Sequence, residues 1–130
     1  MDKRLRSHFL SLYRMIVADS EISTKEKIEL YNIGKSYYGL TEEEINSVVF
    51  SDEVIFYIPE TEEEKILYLY DLSLIAYANN VVAEEEKLLL YEYAKKYGVL
   101  ENQVEELISF LLEKASQHKS HEEILNEFSK

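Results

Sequence analysis

The sequence predicts an all-α, compact single-domain bundle of six or seven helices, and three observations carry that expectation. The stretch from Lys65 to Asn79 is apolar at nearly every position. A helix that is apolar all round belongs inside a bundle, surrounded by other helices. Four times a Ser or Thr is followed three residues later by Glu, at Ser23–Glu26, Thr41–Glu44, Thr61–Glu64 and Ser120–Glu123. Each is a capping-box signature that opens a helix. Three glycines and one proline leave little material for the turns of a sheet-rich fold.

The elements follow in order. Leu5, Phe9, Leu12 and Ile16 recur at helical spacing and predict a first helix over about 3–18. The Ser23 box opens a second helix to about Tyr38, with Leu30, Gly34 and Tyr37 on its inward stripe. Glycine costs about 1 kcal/mol of helix propensity relative to alanine, so Gly34 implies a close approach by another helix. Gly39 supplies a left-handed cap, and the Thr41 box starts a shorter helix to about Phe50. Val54 to Ile58 has strand-like residue types but no second strand to pair with, and an isolated strand is unstable. A short helix or a buried connector, stopped by Pro59, is expected there. The Thr61 box then opens the central helix. Beyond Asn79 to Ala83, a helix is expected from Glu84 to about Tyr97, capped by Gly98. Another covers about 101–117, with Val104, Leu107, Ile108, Leu111 and Leu112 on one side. A short terminal helix over about 121–129 carries Ile124, Leu125 and Phe128.

A repeat runs through this order. A shift of sixty pairs Ala18 with Ala78, Glu26 with Glu86, Leu30 with Leu90, Tyr31 with Tyr91 and Tyr37 with Tyr97. After one extra residue in the first copy, Gly39 meets Gly98, Ile45 meets Val104 and Val48 meets Leu107. Gly34 meets Ala94, small against small. One domain over 1–130 is therefore expected, holding two helix–loop–helix–Gly–helix units at about 12–49 and 72–108 around the central helix.

Composition narrows the partners. The net charge of −12 repels phosphate backbones and anionic lipid surfaces, so nucleic acid and direct membrane insertion are not expected. The central helix is also too short, and too studded with tyrosine and Asp71, to span a bilayer. Zero cysteines remove disulfides, thiolate ligands and a cysteine nucleophile. No apolar signal segment opens the chain, and a cytoplasmic location is the expectation.

The doubled element Ala18-Asp19-Ser20-Glu21-Ile22-Ser23-Thr24-Lys25-Glu26 and Ala78-Asn79-Asn80-Val81-Val82-Ala83-Glu84-Glu85-Glu86 resembles the mark of the TerB-like family, named for a bacterial tellurite-resistance protein. The entry to the middle helix, Ile58-Pro59 through Glu64-Lys65, is similar as well, and the match covers about Leu12 to Ile108. The resemblance implies a compact all-helical fold, a link to bacterial stress responses and acidic loop residues that hold a divalent cation such as Ca2+ or Mg2+. Ser20 and Asn80 stand where the family has glycine, and Asn79 replaces the second aspartate. Val81, Val82 and Ala83 leave the second loop nearly free of ligands. A cation site is thus expected in the first copy, at Asp19, Glu21 and Glu26.

Those three residues offer the oxygen ligands that hard cations prefer, but the loop is not an EF-hand. No glycine occupies the sixth position from Asp19, and the twelfth is Leu30. Glu26 also serves as the partner of a capping box. The acidic runs at Glu42–Glu44, Glu62–Glu64, Glu84–Glu86 and Glu122–Glu123 all open helices, where each carboxylate gains about 0.3–1 kcal/mol from the macrodipole. His118 and His121 have a zinc-like spacing that Ser120, a helix N-cap, interrupts; His8 flanks Phe9 and reads as packed or solvated. Eleven tyrosines exceed what the repeat absorbs, and Tyr13, Tyr38, Tyr68 and Tyr93 would form an interface patch if exposed together. The functional expectation is a non-enzymatic interaction or sensing module with a protein partner, including a second copy of itself. A divalent-cation-binding protein is the alternative, and a metal-dependent hydrolase is a third.

Overall fold

The structure, a computed structural model, describes residues 1–18 and 23–128. Among them seven helices and no strand occur: α1 (Lys3–Ile16), α2 (Thr24–Tyr38), α3 (Glu42–Val49), α4 (Glu62–Tyr77), α5 (Glu84–Lys96), α6 (Glu101–Ser116) and α7 (His121–Phe128). The expected all-α bundle is what forms. None of these helices is long and apolar enough to cross a membrane.

The apolar run becomes the axis. Every residue from Tyr68 to Ala76 is buried, because α4 packs against α1, α2, α5, α6 and α7 at once. Phe9, Leu12, Met15 and Ile16 of α1 meet it from one side; Leu90, Ile108 and Leu111 of α5 and α6 meet it from the other.

The helix starts are built as their sequences require. At Thr41 and Ser120 the box is reciprocal: Thr41 Oγ1 accepts from the Glu44 N–H at 3.1 Å while Glu44 Oε1 accepts from the Thr41 N–H at 3.0 Å. Ser120 and Glu123 repeat this at 3.2 and 3.0 Å. The backbone N–H groups these carboxylates receive hold both Glu44 and Glu123 below the usual range. Ala83 has no hydroxyl to offer, yet Glu86 still accepts from its N–H at 3.0 Å.

The helix ends match as well. Gly39 takes φ 64° after α2, and the Leu40 N–H reaches back to the Gly34 carbonyl at 3.0 Å. Gly98 takes φ 94° after α5, and the Val99 N–H reaches the Ala94 carbonyl at the same distance. Both bonds close orphan carbonyls in the manner of a Schellman motif. Gly34 itself sits where α2, α3 and α1 converge. A Cβ there would lie 2.5 Å from Ile45 Cδ1 and 3.3 Å from Phe9 Cε1.

Two expectations are corrected. The segment from Asp52 to Glu60 is not a short helix and is largely exposed; it is an irregular connector on the surface. Val54 is 100% exposed and Ile58 51% exposed. The connector is tethered at separated points, by Tyr57 N–H donating to Ser7 Oγ at 2.9 Å, by an Arg6–Glu53 ion pair and by buried Pro59. Those tethers hold it against α1, and Phe56 leans on Tyr93 and Tyr97. Tyr13, Tyr38, Tyr68 and Tyr93 make no surface patch either. Tyr93 and Tyr68 are core residues, and Tyr13 and Tyr38 are half-buried against that core.

Gly34→Leu is expected to lower stability by about 1–3 kcal/mol, because four extra carbons must displace Ile45 and Phe9. Thermal unfolding of the variant measures this; an unchanged midpoint would show that α2 can move off α3 without cost.

Candidate functional site

The principal polar constellation lies inside the bundle. Asp71 sits at the middle of α4 and is fully buried. An ionised carboxylate there is tolerable only if hydrogen bonds replace its water. Three helices supply them. His8 of α1 places Nε2 2.8 Å from Asp71 Oδ2. Tyr38, the last residue of α2, donates its hydroxyl to the same oxygen at 2.6 Å. His121, the first residue of α7, places Nε2 2.6 Å from Oδ1.

Electrostatics fixes the roles. Burial pushes the Asp71 carboxyl up, but the hydrogen bonds from His121 and His8 and the closeness of both rings outweigh it, leaving it below the usual range. Asp71 is therefore an acceptor only, and both imidazoles present Nε2–H to it. The Tyr38 phenol is driven well above its ordinary value by burial and then by the Asp71 charge, so it stays a donor. Aromatic faces set the ring planes. His8 stacks on Tyr68 at 3.7 Å between centroids, and His121 stacks on Tyr37 at 3.6 Å. Burial also pushes the Tyr68 phenol up to about 12. His8 Nδ1 is buried and finds no hydrogen-bond partner among the described residues.

His121 approaches solvent, its side chain 13% exposed. Beside it, Glu29, Ser36, Tyr37 and His118 line a cavity of about 180 Å³. Burial raises the Glu29 carboxyl, and the nearby His118 partly offsets that. The cluster can hold a negative charge in the core and bind four helices to it. Three larger openings are mainly apolar. One groove between α6 and α7 is flanked by Glu106 and Glu127, but Glu127 is ion-paired to Lys114 at 3.2 Å. That pairing makes these carboxylates a charged rim rather than a proton-sharing pair.

The expected cation ligands are placed only in part. Asp19 and Glu21 lie outside the described residues. Glu26 is the third residue of α2, buried, with Oε1 accepting from Asn79 Nδ2 at 3.3 Å. Asn79 Oδ1 in turn accepts from Ser23 Oγ at 2.7 Å, so the second loop docks on the start of α2. Among the described residues, no group of three or more His, Asp or Glu side chains is arranged to hold a metal ion. His118 takes a positive φ of 54° between α6 and α7, while His121 is committed to Asp71. The two do not act as a ligand pair.

The sequence reading passed over Asp71 and His8. A usable signal was present: one carboxylate in an otherwise apolar helix needs donors, and few residue types in so apolar a core supply them. His8 lies one helical turn before Leu12 on the inward stripe of α1.

Asp71→Ala is expected to cost about 3–5 kcal/mol, because it strands the buried donors of His8, Tyr38 and His121. Asp71 also sets an acid limit. Its folded value lies below the unfolded one, so its stabilisation is present above the ordinary carboxyl value of 3.8 and is lost as pH falls through the folded value. Urea unfolding across that window should show wild type losing stability and Asp71→Asn changing less; parallel curves would refute the role.

Compared with protein-family models, with curated proteins and with solved structures, the chain matches none, and the functional reading rests on its own residues.

Proposed function

We propose that this chain is a non-enzymatic interaction or sensing module, resembling the TerB-like stress-response proteins and built from two copies of one helical unit. One observation carries the reading: its polar chemistry is turned inward while large apolar side chains stand outside. Asp71 and His8 are spent on joining α1, α2, α4 and α7. On the surface, Val54, Phe56, Tyr57 and Ile58 of the connector, and Leu100 and Phe128 near α6 and α7, are each at least 40% exposed. Exposed apolar surface rimmed by charge is the usual substrate of protein association. The matched caps at Gly39 and Gly98, and the buried Glu26 and Glu86 at equivalent helix positions, support the two-copy organisation.

A divalent-cation site at Asp19, Glu21 and Glu26 is the second reading. It is favoured by the docking of Asn79, from the second loop, on the buried Glu26 and on Ser23 at the start of α2.

Sedimentation at several protein concentrations, at low and moderate salt, separates these readings when paired with a calcium or magnesium titration followed by amide resonances. The interaction reading expects concentration-dependent association, or a partner captured by wild type and lost on Val54→Ser/Ile58→Ser or Leu100→Glu. The cation reading expects shifts near Glu26 that Asp19→Asn abolishes. A strict monomer that captures nothing, with a saturable cation effect, overturns the first reading in favour of the second.

A further inference from the structure

The proposed interaction reading leaves open which face binds and what it binds. The opening most suited to a partner is the groove between α6 and α7. Gln103, Leu107 and Phe128 line two adjoining cavities of about 370 and 350 Å³, which join them into one trough. The floor is apolar: Phe110 and Leu107 lie at one end, Ile66, Leu69 and Leu100 at the other. Phe110 and Phe128 meet edge to face at 5.3 Å, leaving Phe128 40% and Leu100 62% exposed.

From Leu100 to Phe110 the wall runs ten residues, about 15 Å at helical rise. That accommodates the i, i+3, i+7 anchors of one amphipathic helix.

Charge selects the occupant. The α7 segment HEEILNEF carries three glutamates and no lysine or arginine. The α6 segment ENQVEELISFLLEKAS carries four glutamates against Lys114 alone. Lys114 is already bound to Glu127, and Lys65 to Glu62 at 3.4 Å. Glu106, on the lip beside Leu107 and Phe110, has no lysine or arginine within ion-pair distance among the described residues. A second copy of this chain would bring a surface of net charge −12 to this acidic lip. Its most basic helix, α1, is committed to the core through Phe9, Leu12 and Ile16. An anionic membrane is repelled for the same reason.

Resting on the interaction reading, we infer that the α6–α7 groove is a docking site for a basic amphipathic helix of another protein, its apolar face on Leu107, Phe110 and Phe128 and its cations against Glu106.

The test uses the full chain and three fluorescent peptides of about 18 residues, roughly five helical turns. One carries leucines at helical spacing with lysines elsewhere, one has the same composition scrambled, and one has glutamate for lysine. At physiological salt the Leu–Lys peptide should bind in preference to both others, and its amide shifts should map to α6 and α7. Leu100→Glu and Phe110→Ala should each weaken it about tenfold, the loss typical of a removed anchor. Glu106→Lys should weaken it too, with a smaller salt dependence. Unfolding midpoints of the variants check the fold, and Leu100→Glu, at an exposed position, keeps the test valid if Phe110→Ala unfolds. Equal binding of the scrambled peptide, or indifference to both Leu100→Glu and Glu106→Lys, overturns the inference. Shifts on the connector at 54–58 instead of α6 and α7 overturn this site but leave the interaction reading standing. Self-association through these residues overturns the choice of partner. No peptide binding overturns the inference, and a strict monomer that also captures no partner overturns the interaction reading with it.

Discussion

A charged group in the middle of an apolar helix is the constraint around which the bundle is arranged. Bringing one carboxylate out of water costs several kcal/mol unless donors take the place of solvent. Asp71 collects its donors from three different helices, at sequence separations of 63, 33 and 50 residues. None of α1, α2 or α7 can rotate or slide along α4 without stranding one of them. Hydrophobic burial is nondirectional and would accept several arrangements of these amphipathic helices. The directional bonds to Asp71 accept far fewer. The aromatic rings sharpen the selection, because His8 lies flat between its bond to Asp71 and the face of Tyr68.

The consequence reaches the surface through α7. Eight residues form too short a helix to persist alone in water. It is held by His121 at its first turn, by Ile124 in the core and by the Ser120–Glu123 box at its start. Tyr70 adds a bond from its hydroxyl to the Lys119 carbonyl at 2.6 Å, just before that start. With the first turn fixed from inside, the last turn meets α6 through Phe128 against Phe110 and Glu127 on Lys114. The buried cluster thereby determines the shape of an exposed groove that no part of it touches.

Local signals in the sequence were legible because their causes are local. The capping residues, the left-handed glycines and the apolar run of α4 each announce themselves within a few positions. Gly34 was legible too, since an unfavourable residue inside a helix asks for a packing reason and Ile45 supplies it. The polar cluster was not legible as a cluster. Its members are scattered over the chain, and a histidine beside a phenylalanine reads the same whether it is solvated or bonded. The connector failed for a related reason. Val54 to Ile58 has the composition of buried chain, and contacts distant in sequence, at Ser7, Arg6 and Tyr93, hold it outside. Tyr38 and Tyr68 looked surplus because their task, enclosing Asp71 and His8, depends on residues far away in sequence.

The acidity of the surface has a structural origin and a functional effect. Runs of glutamate occupy the first turns of α3, α4 and α5, and α7 carries two more, where helix dipoles favour them. Stabilising each start in this way leaves 26 acidic residues against 14 basic ones. The resulting field extends about 8–10 Å into solvent at physiological salt. It opposes close approach by identical copies and draws basic surfaces toward whatever apolar area is open. Charges placed helix by helix for folding thus act together on any molecule that approaches. The groove between α6 and α7 is where such a field and an uncovered apolar floor coincide.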